Sequence, residues 1–306
     1  MQKSSQVRPV RRKFLAVGAA AALTAVVSTG GGAEAAPRDA DGIAGRLREL
    51  ELEHAARLGV FARNEATGET VEYRADERFP ICSVWKPLAA AALLRDFAQS
   101  GDHLARRIRY TEKDVTDSGY APVTGRPEHL ADGMTVADLC AAAISYSDNA
   151  AGNLLLRELG GPTAITRFCR TVGDTTTRLD RWEPELDSAE PWRVEDTTSP
   201  RAIGRTYASL TLGDALAARS RDRLTGWLLA NTTGGQRLRA GLPADWALAD
   251  KTGAGKYGTN NDVGIAWPQD RAPILLCVLT TRHVADAPAD DLLVAKAAEL
   301  LAGALV

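Results

Sequence analysis

Apolar positions along the chain switch from helical to strand spacing and back, and the order of the switches predicts the architecture. Residues 41–54 put Ile43, Leu47, Leu50 and His54 on one helix face. Residues 57–64 and 69–74 alternate as strands around the turn Ala66-Thr67-Gly68, a hairpin. Helical segments follow at 84–99, 135–145, 150–159, 164–171, 200–212 and 215–230, the third stopped by Gly160-Gly161-Pro162. Between two of them, residues 174–199 are polar and Pro-containing; a loop that long inside a compact domain is usually functional or disordered. Strand spacing returns at 246–252, 261–267 and 273–281, before a final helix over 288–305.

Neither strand group is large enough to stand alone. The pattern therefore predicts an α+β fold: one antiparallel sheet with flanking helices, made by residues 37–78 and 231–306, and an inserted all-helical subdomain over 79–230. A cleft between two such parts is a common place for a site.

The first 36 residues stand apart. Arg11-Arg12-Lys13-Phe14-Leu15 precedes a short apolar stretch, Ala16 to Val27, and Ala33-Glu34-Ala35 fits a small-residue cleavage pattern. This reads as a twin-arginine signal peptide, so the mature chain is expected to be secreted. The stretch is too short to span a bilayer, no later run approaches that length, and no Cys near the cleavage point offers a lipid anchor.

Composition narrows the partners. The 306 residues are 45% hydrophobic and 25% charged, as in ordinary globular chains. Net charge is −2; losing five of 37 Lys+Arg and one of 39 Asp+Glu with the signal leaves 32 against 38, a charge of about −6. A nucleic-acid partner has no electrostatic support. Cys82, Cys140, Cys169 and Cys277 are scattered without a C-x-x-C, so buried free thiols are expected even in an oxidising compartment. His54, His103, His129 and His283 are not paired at ligand spacing, so neither a metal nor another cofactor is expected.

Three short motifs carry chemistry. In Ser83-Val84-Trp85-Lys86, a serine at a helix start has a lysine nearly one turn on, and backbone N–H groups to receive an oxyanion. Ser147-Asp148-Asn149 falls between two helices, and Lys251-Thr252-Gly253 ends a strand, where a cation, a hydroxyl and a glycine can hold a carboxylate. Each alone reads as a cap or a strand end. In the order S-x-x-K, S-D-N, K-T-G they are the set shared by class A β-lactamases and penicillin-binding proteins.

With those motifs the chain resembles the class A serine β-lactamases, in an actinomycete-type form, over nearly all of its mature length. Arg181-Trp182-Glu183-Pro184-Glu185-Leu186 is similar to the omega loop of that family, here about 178–196. Cys82-Ser83, Tyr120-Ala121-Pro122-Val123-Thr124 and Asp196-Thr197-Thr198 also match. The resemblance implies a three-layer β-lactamase/transpeptidase-like fold and a monomer acting on small-molecule β-lactams, penicillins and cephalosporins. It implies that Ser83 is acylated, with Lys86 or Glu183 as the acylation base, and that Ser147 passes a proton to the leaving nitrogen. Glu183 activates the deacylating water. Tyr120 contacts the substrate, and Asn149 hydrogen-bonds the substrate's amide side chain. Lys251, Thr252 and Gly253 hold the carboxylate, and the N–H groups of Ser83 and Ala254 form the oxyanion hole. Arg181 and Asp196 pin the loop as an ion pair.

Two departures matter. Asp187 stands where the family usually has an Asn that holds the water. A second carboxylate there raises the pKa of one of the pair if it faces Glu183, and does nothing if it faces solvent. No Arg occurs in Lys256-Tyr257-Gly258-Thr259-Asn260, so Arg237 is the expected replacement near Lys251, with Arg239 as its rival. No Cys in Ala254-Gly255 can pair with Cys82, so carbapenem hydrolysis has no positive sign. A cell-wall D,D-peptidase shares Ser83, Lys86, Ser147 and Lys251 but has no use for Glu183; a slow penicillin-binding receptor is the other alternative.

Overall fold

The computed structural model describes residues 40–97 and 102–306. The signal assigned to residues 1–36 lies outside them. The chain opens with helix α1 (Ala40–Glu53) and the hairpin β1 (Arg57–Asn64) and β2 (Thr70–Tyr73). The helices of the middle block are α2 (Lys86–Asp96), α3 (Val136–Ser145), α4 (Asn149–Leu159), α5 (Thr163–Thr171), α6 (Pro200–Thr211) and α7 (Ala218–Leu229). Strands β3 (Ala247–Ala254), β4 (Asn260–Trp267) and β5 (Ile274–Thr281) then lead into α8 (Asp291–Leu305).

The five strands form one antiparallel sheet in the order β2-β1-β5-β4-β3. β1 pairs with β5 along its whole length, from Arg57 opposite Thr281 to Asn64 opposite Ile274. This closes the N-terminal hairpin onto the C-terminal strands, as the spacing predicted. β5 is buried at every position, which is why Ile274 to Val278 reads as a continuous apolar run.

Period-two alternation sorts these side chains into two cores. Val60, Ala62, Leu248, Leu276 and Val278 face α1 and α8, meeting Leu47, Leu293, Ala297 and Leu301. Phe61, Ala249, Val263, Ile265, Leu275 and Cys277 face the other way, onto Ile203, Tyr207 and Leu210 of α6. That second core continues into the helical block through Trp85, Leu88, Leu139 and Leu155. The result is three layers, with the sheet in the middle and the helical block sharing the core of its inner face.

Several boundaries differ from those the spacing predicts. The expected helix over 84–99 is a tight 3-10 turn, Cys82–Trp85, followed by α2 from Lys86. Pro87 suits the first turn of α2 because its missing N–H has no partner there in any case. β3 runs two residues past 252, through Ala254. Short helices at Glu112–Asp117, Pro127–Asp132 and Leu238–Gly241 carry too few residues to show a period. All four cysteines are buried and free, as expected. Among the described residues no helix is long and apolar enough to cross a membrane.

Candidate active site

The turn from Cys82 to Trp85 is wholly buried, and its first residue, Cys82, takes a left-handed φ of 42°. For a side chain with a Cβ that conformation costs on the order of 1–3 kcal/mol and persists only where its surroundings enforce it. Here they do: a Cβ added to Gly253 would lie 3.2 Å from both Cys82 Cβ and Ser83 N. The edge of β3 therefore packs directly on the backbone of Ser83, an approach tighter than a residue with a Cβ ordinarily makes.

Ser83 Oγ lies 3.4 Å from Glu183 Oε1, which also accepts from Trp85 Nε1 at 3.3 Å. Lys86 Nζ is 3.3 Å from the same oxygen, with both side chains sealed from solvent. Lys86 Nζ further donates to Asn149 Oδ1 at 2.6 Å and to the Ser147 carbonyl at 2.8 Å. Lys86 thus faces the cluster around Ser83, as its spacing predicts, but the hydrogen-bond partner of Ser83 Oγ is Glu183.

Ser147 also has a left-handed φ, 58°. Its hydroxyl accepts from Lys251 Nζ at 2.9 Å and lies 3.5 Å from Lys86 Nζ, so it bridges the two lysines. Asp148 is structural. It caps α4 through Ala151 N at 2.8 Å and accepts from Val123 N and Thr124 N at 2.9 and 2.8 Å. The capping reading thus holds for the middle residue of the motif, while its neighbours turn into the site. Asn149 Nδ2 donates to the Ser118 carbonyl at 3.1 Å, and Tyr120 stands exposed nearby, its carbonyl accepting from Asn149 N at 2.8 Å.

On β3, Lys251 is fully buried. Burial, with Lys86 and Arg237 adding like charge, pushes its ammonium well below the usual lysine range. Thr252 Oγ1 contacts Thr233 Oγ1 at 2.5 Å. Arg237 Nη1 donates to the carbonyls of Gly253 and Asn261 at 3.2 and 3.0 Å, and Nε pairs with Asp291 at 2.9 Å. Arg239 binds the same strand before the motif, donating to the Leu248 carbonyl and to Asp250 Oδ1, each at 2.9 Å. Of the two rivals, Arg237 is the one that reaches Gly253 of the K-T-G motif.

The long loop is ordered by its two ends. Arg181 Nε meets Asp196 Oδ2 at 2.5 Å, and Asp196 Oδ1 accepts from Asp180 N and Arg181 N at 2.7 and 3.0 Å. The Asp196 carbonyl takes the N–H of Ile81 at 2.8 Å, tying the loop to the segment that leads into Ser83. Asn153 holds Glu183 by its backbone, accepting from Glu183 N at 3.0 Å and donating to its carbonyl at 2.9 Å. Asp187 borders an open cleft of about 700 Å³ with Pro184, Ala254, Gly255 and Lys256. Among the described residues no group of His, Cys, Asp and Glu could hold a metal ion.

Sequence reasoning missed Asn153, Trp85, Thr233 and Asp291. Asn153 was within reach, since it lies one helical turn beyond Asn149 on the same face of α4. The others join the site only through tertiary contact. Together these residues place a hydroxyl, a carboxylate, two buried ammonium groups and a strand edge around one point, an arrangement suited to nucleophilic acyl transfer.

Comparison with known proteins identifies the family. A family model described as the β-lactamase enzyme family matches residues 43–305. A β-lactamase of Streptomyces lavendulae is 64% identical over 298 residues, 97% of this chain and 98% of that protein. The carbapenem-hydrolysing β-lactamase KPC of Klebsiella oxytoca is 48% identical, covering 84% of this chain and 87% of that one. Among solved structures, the β-lactamase from Streptomyces albus G superposes with a TM-score of 0.86 at 61% identity, over 87% of this chain and 100% of that one.

Proposed function

Since this chain belongs to the β-lactamase enzyme family, we propose that it hydrolyses the β-lactam amide of penicillins and cephalosporins through an acyl-enzyme on Ser83. The carrying observation is Glu183 Oε1, which lies within reach of both Ser83 Oγ and Lys86 Nζ. Ser83 attacks the lactam carbonyl while its proton passes to the Glu183/Lys86 pair. The oxyanion is held by the N–H groups of Ser83 and Ala254. Ser147, bridging Lys86 and Lys251, returns a proton to the departing nitrogen. Water, deprotonated by Glu183, then attacks the ester, and Glu183 passes that proton to the departing Ser83 Oγ, which restores both groups. A D,D-peptidase would have no use for a carboxylate against its nucleophile, which favours the hydrolase reading. The chain acts as a monomer on small molecules, and residues 1–36 direct its export by the twin-arginine route.

Quenched mass spectrometry with benzylpenicillin tests this. An adduct on the peptide containing Ser83 should form and decay within each turnover; one that persists indicates a peptidase or a receptor. Arg237 is proposed to hold the substrate carboxylate beside Lys251 and Thr252. Losing one charge-assisted hydrogen bond is worth about 1.5–3 kcal/mol, so Arg237→Ala should raise KM for penicillins roughly ten- to hundredfold with kcat largely retained. Unchanged KM values would remove Arg237 from substrate binding.

A further inference from the structure

Glu183 uses only one of its oxygens. Oε1 serves Ser83, Trp85 and Lys86, whereas Oε2 is buried and has no hydrogen-bond partner among the described residues. Asp187, one turn along the same loop, has Oδ1 in the same condition. Buried polar atoms are nearly always paired, and an ionised carboxylate can only accept. The two carboxyls lie within hydrogen-bonding reach of each other, so a single proton between them satisfies both orphaned acceptors.

We propose that Glu183 and Asp187 form a dyad sharing one proton, carried by Asp187 in the resting enzyme, and that Asp187 is thereby a positioning residue for Glu183. This rests on the reading of Glu183 as the hydrolytic base. The charges around the pair favour it. Lys86 is the cation facing the dyad from α2, and it balances one carboxylate only. The Cys82 thiol, on the turn before α2, is held protonated by burial. Lys256, on the strand side, gives Asp187 only its backbone N–H at 2.9 Å, its ammonium being paired with Asp286 at 2.8 Å. Arg181 is bound to Asp196. Burial first, then the charge of Glu183, pushes the Asp187 carboxyl well above the usual range.

A proton donated from Asp187 to Oε2 fixes the Glu183 carboxylate with Oε1 toward Ser83. Above the raised Asp187 pKa that donor is lost and two like charges face each other, so Glu183 swings away from the nucleophile and turnover falls.

The test is Asp187→Asn, which keeps the shape and supplies an N–H donor at every pH. The alkaline limb of kcat should move to higher pH in the variant. Stability gives a readout independent of catalysis. A carboxyl whose folded pKa is raised stabilises the fold fully at acid pH, and loses that contribution as pH rises through the folded value. The Tm of Asp187→Asn minus that of the wild type should therefore grow from about pH 5 to about pH 9. The same growth is expected when Glu183→Gln is compared with the wild type, because an amide donor leaves Asp187 free to ionise. Flat Tm differences in both variants overturn the dyad. If no Ser83 adduct forms yet the Tm differences grow with pH, the dyad stands and the hydrolytic reading fails instead.

Discussion

Glu183→Ala is expected to leave an acyl group trapped on Ser83. A positioned general base contributes typically 10²–10⁴-fold, so turnover of benzylpenicillin should fall by about that factor while a stoichiometric burst persists. The reason is geometric. Hydrolysis requires a second attack on the same carbonyl, and Glu183 Oε1 is the carboxylate oxygen within 3.4 Å of Ser83 Oγ. Intact-mass measurement during turnover reads the adduct directly. Steady-state rates near the wild type would remove Glu183 from the reaction, whereas loss of the burst as well would make Glu183 the base of both steps. Alanine also deprives Lys86 and Trp85 of their partner, so Glu183→Gln is the control that keeps the volume filled.

Lys86→Met is expected to damage both rate and stability. Lys86 is fully buried and neutralises Glu183 at 3.3 Å, while donating to Asn149 and to the Ser147 carbonyl. Removing one member of a buried pair costs about 3–5 kcal/mol, because the other charge stays buried without compensation. Acylation should slow by about 10²–10⁴, since proton transfer from Ser83 loses its cation and Ser147 loses one of its two lysines. Stopped-flow acylation and thermal melts check the two effects. The double variant Lys86→Met with Glu183→Gln should recover part of the stability and none of the rate. If it recovers no stability, the two side chains are not energetically coupled.

Much of the site was legible because its motifs sit at element ends, where local sequence and local structure coincide. Ser83 and Lys86 flank the entry to α2, Ser147 to Asn149 lead into α4, and Lys251 to Gly253 close on the end of β3. Asp196 and Arg181 were readable as a pair only through the family resemblance, and the loop does bring its two ends together. The two departures needed coordinates. Arg237 and Arg239 are indistinguishable as text, yet one side chain reaches the Gly253 carbonyl and the other a buried aspartate. Whether Asp187 faced solvent or Glu183 depended on how a single 3-10 turn, Glu185–Ser188, orients its side chains.

Alternation and helical spacing were enough to predict the antiparallel sheet and the inserted helices, because burial on one face imposes a period on any chain that satisfies it. The three motifs, with the Arg181–Leu186 segment that sets them apart from those of penicillin-binding proteins, were enough to identify the family resemblance. What folding alone decided is who touches whom. Trp85, inside the first motif, donates to the Glu183 carboxylate. Asn153, mid-helix, holds Glu183 by its backbone, and Lys86 meets a residue 97 positions away instead of the serine on its own turn. Such contacts join segments distant along the chain, and their energies depend on ångström distances inside a desolvated pocket, which no local pattern encodes.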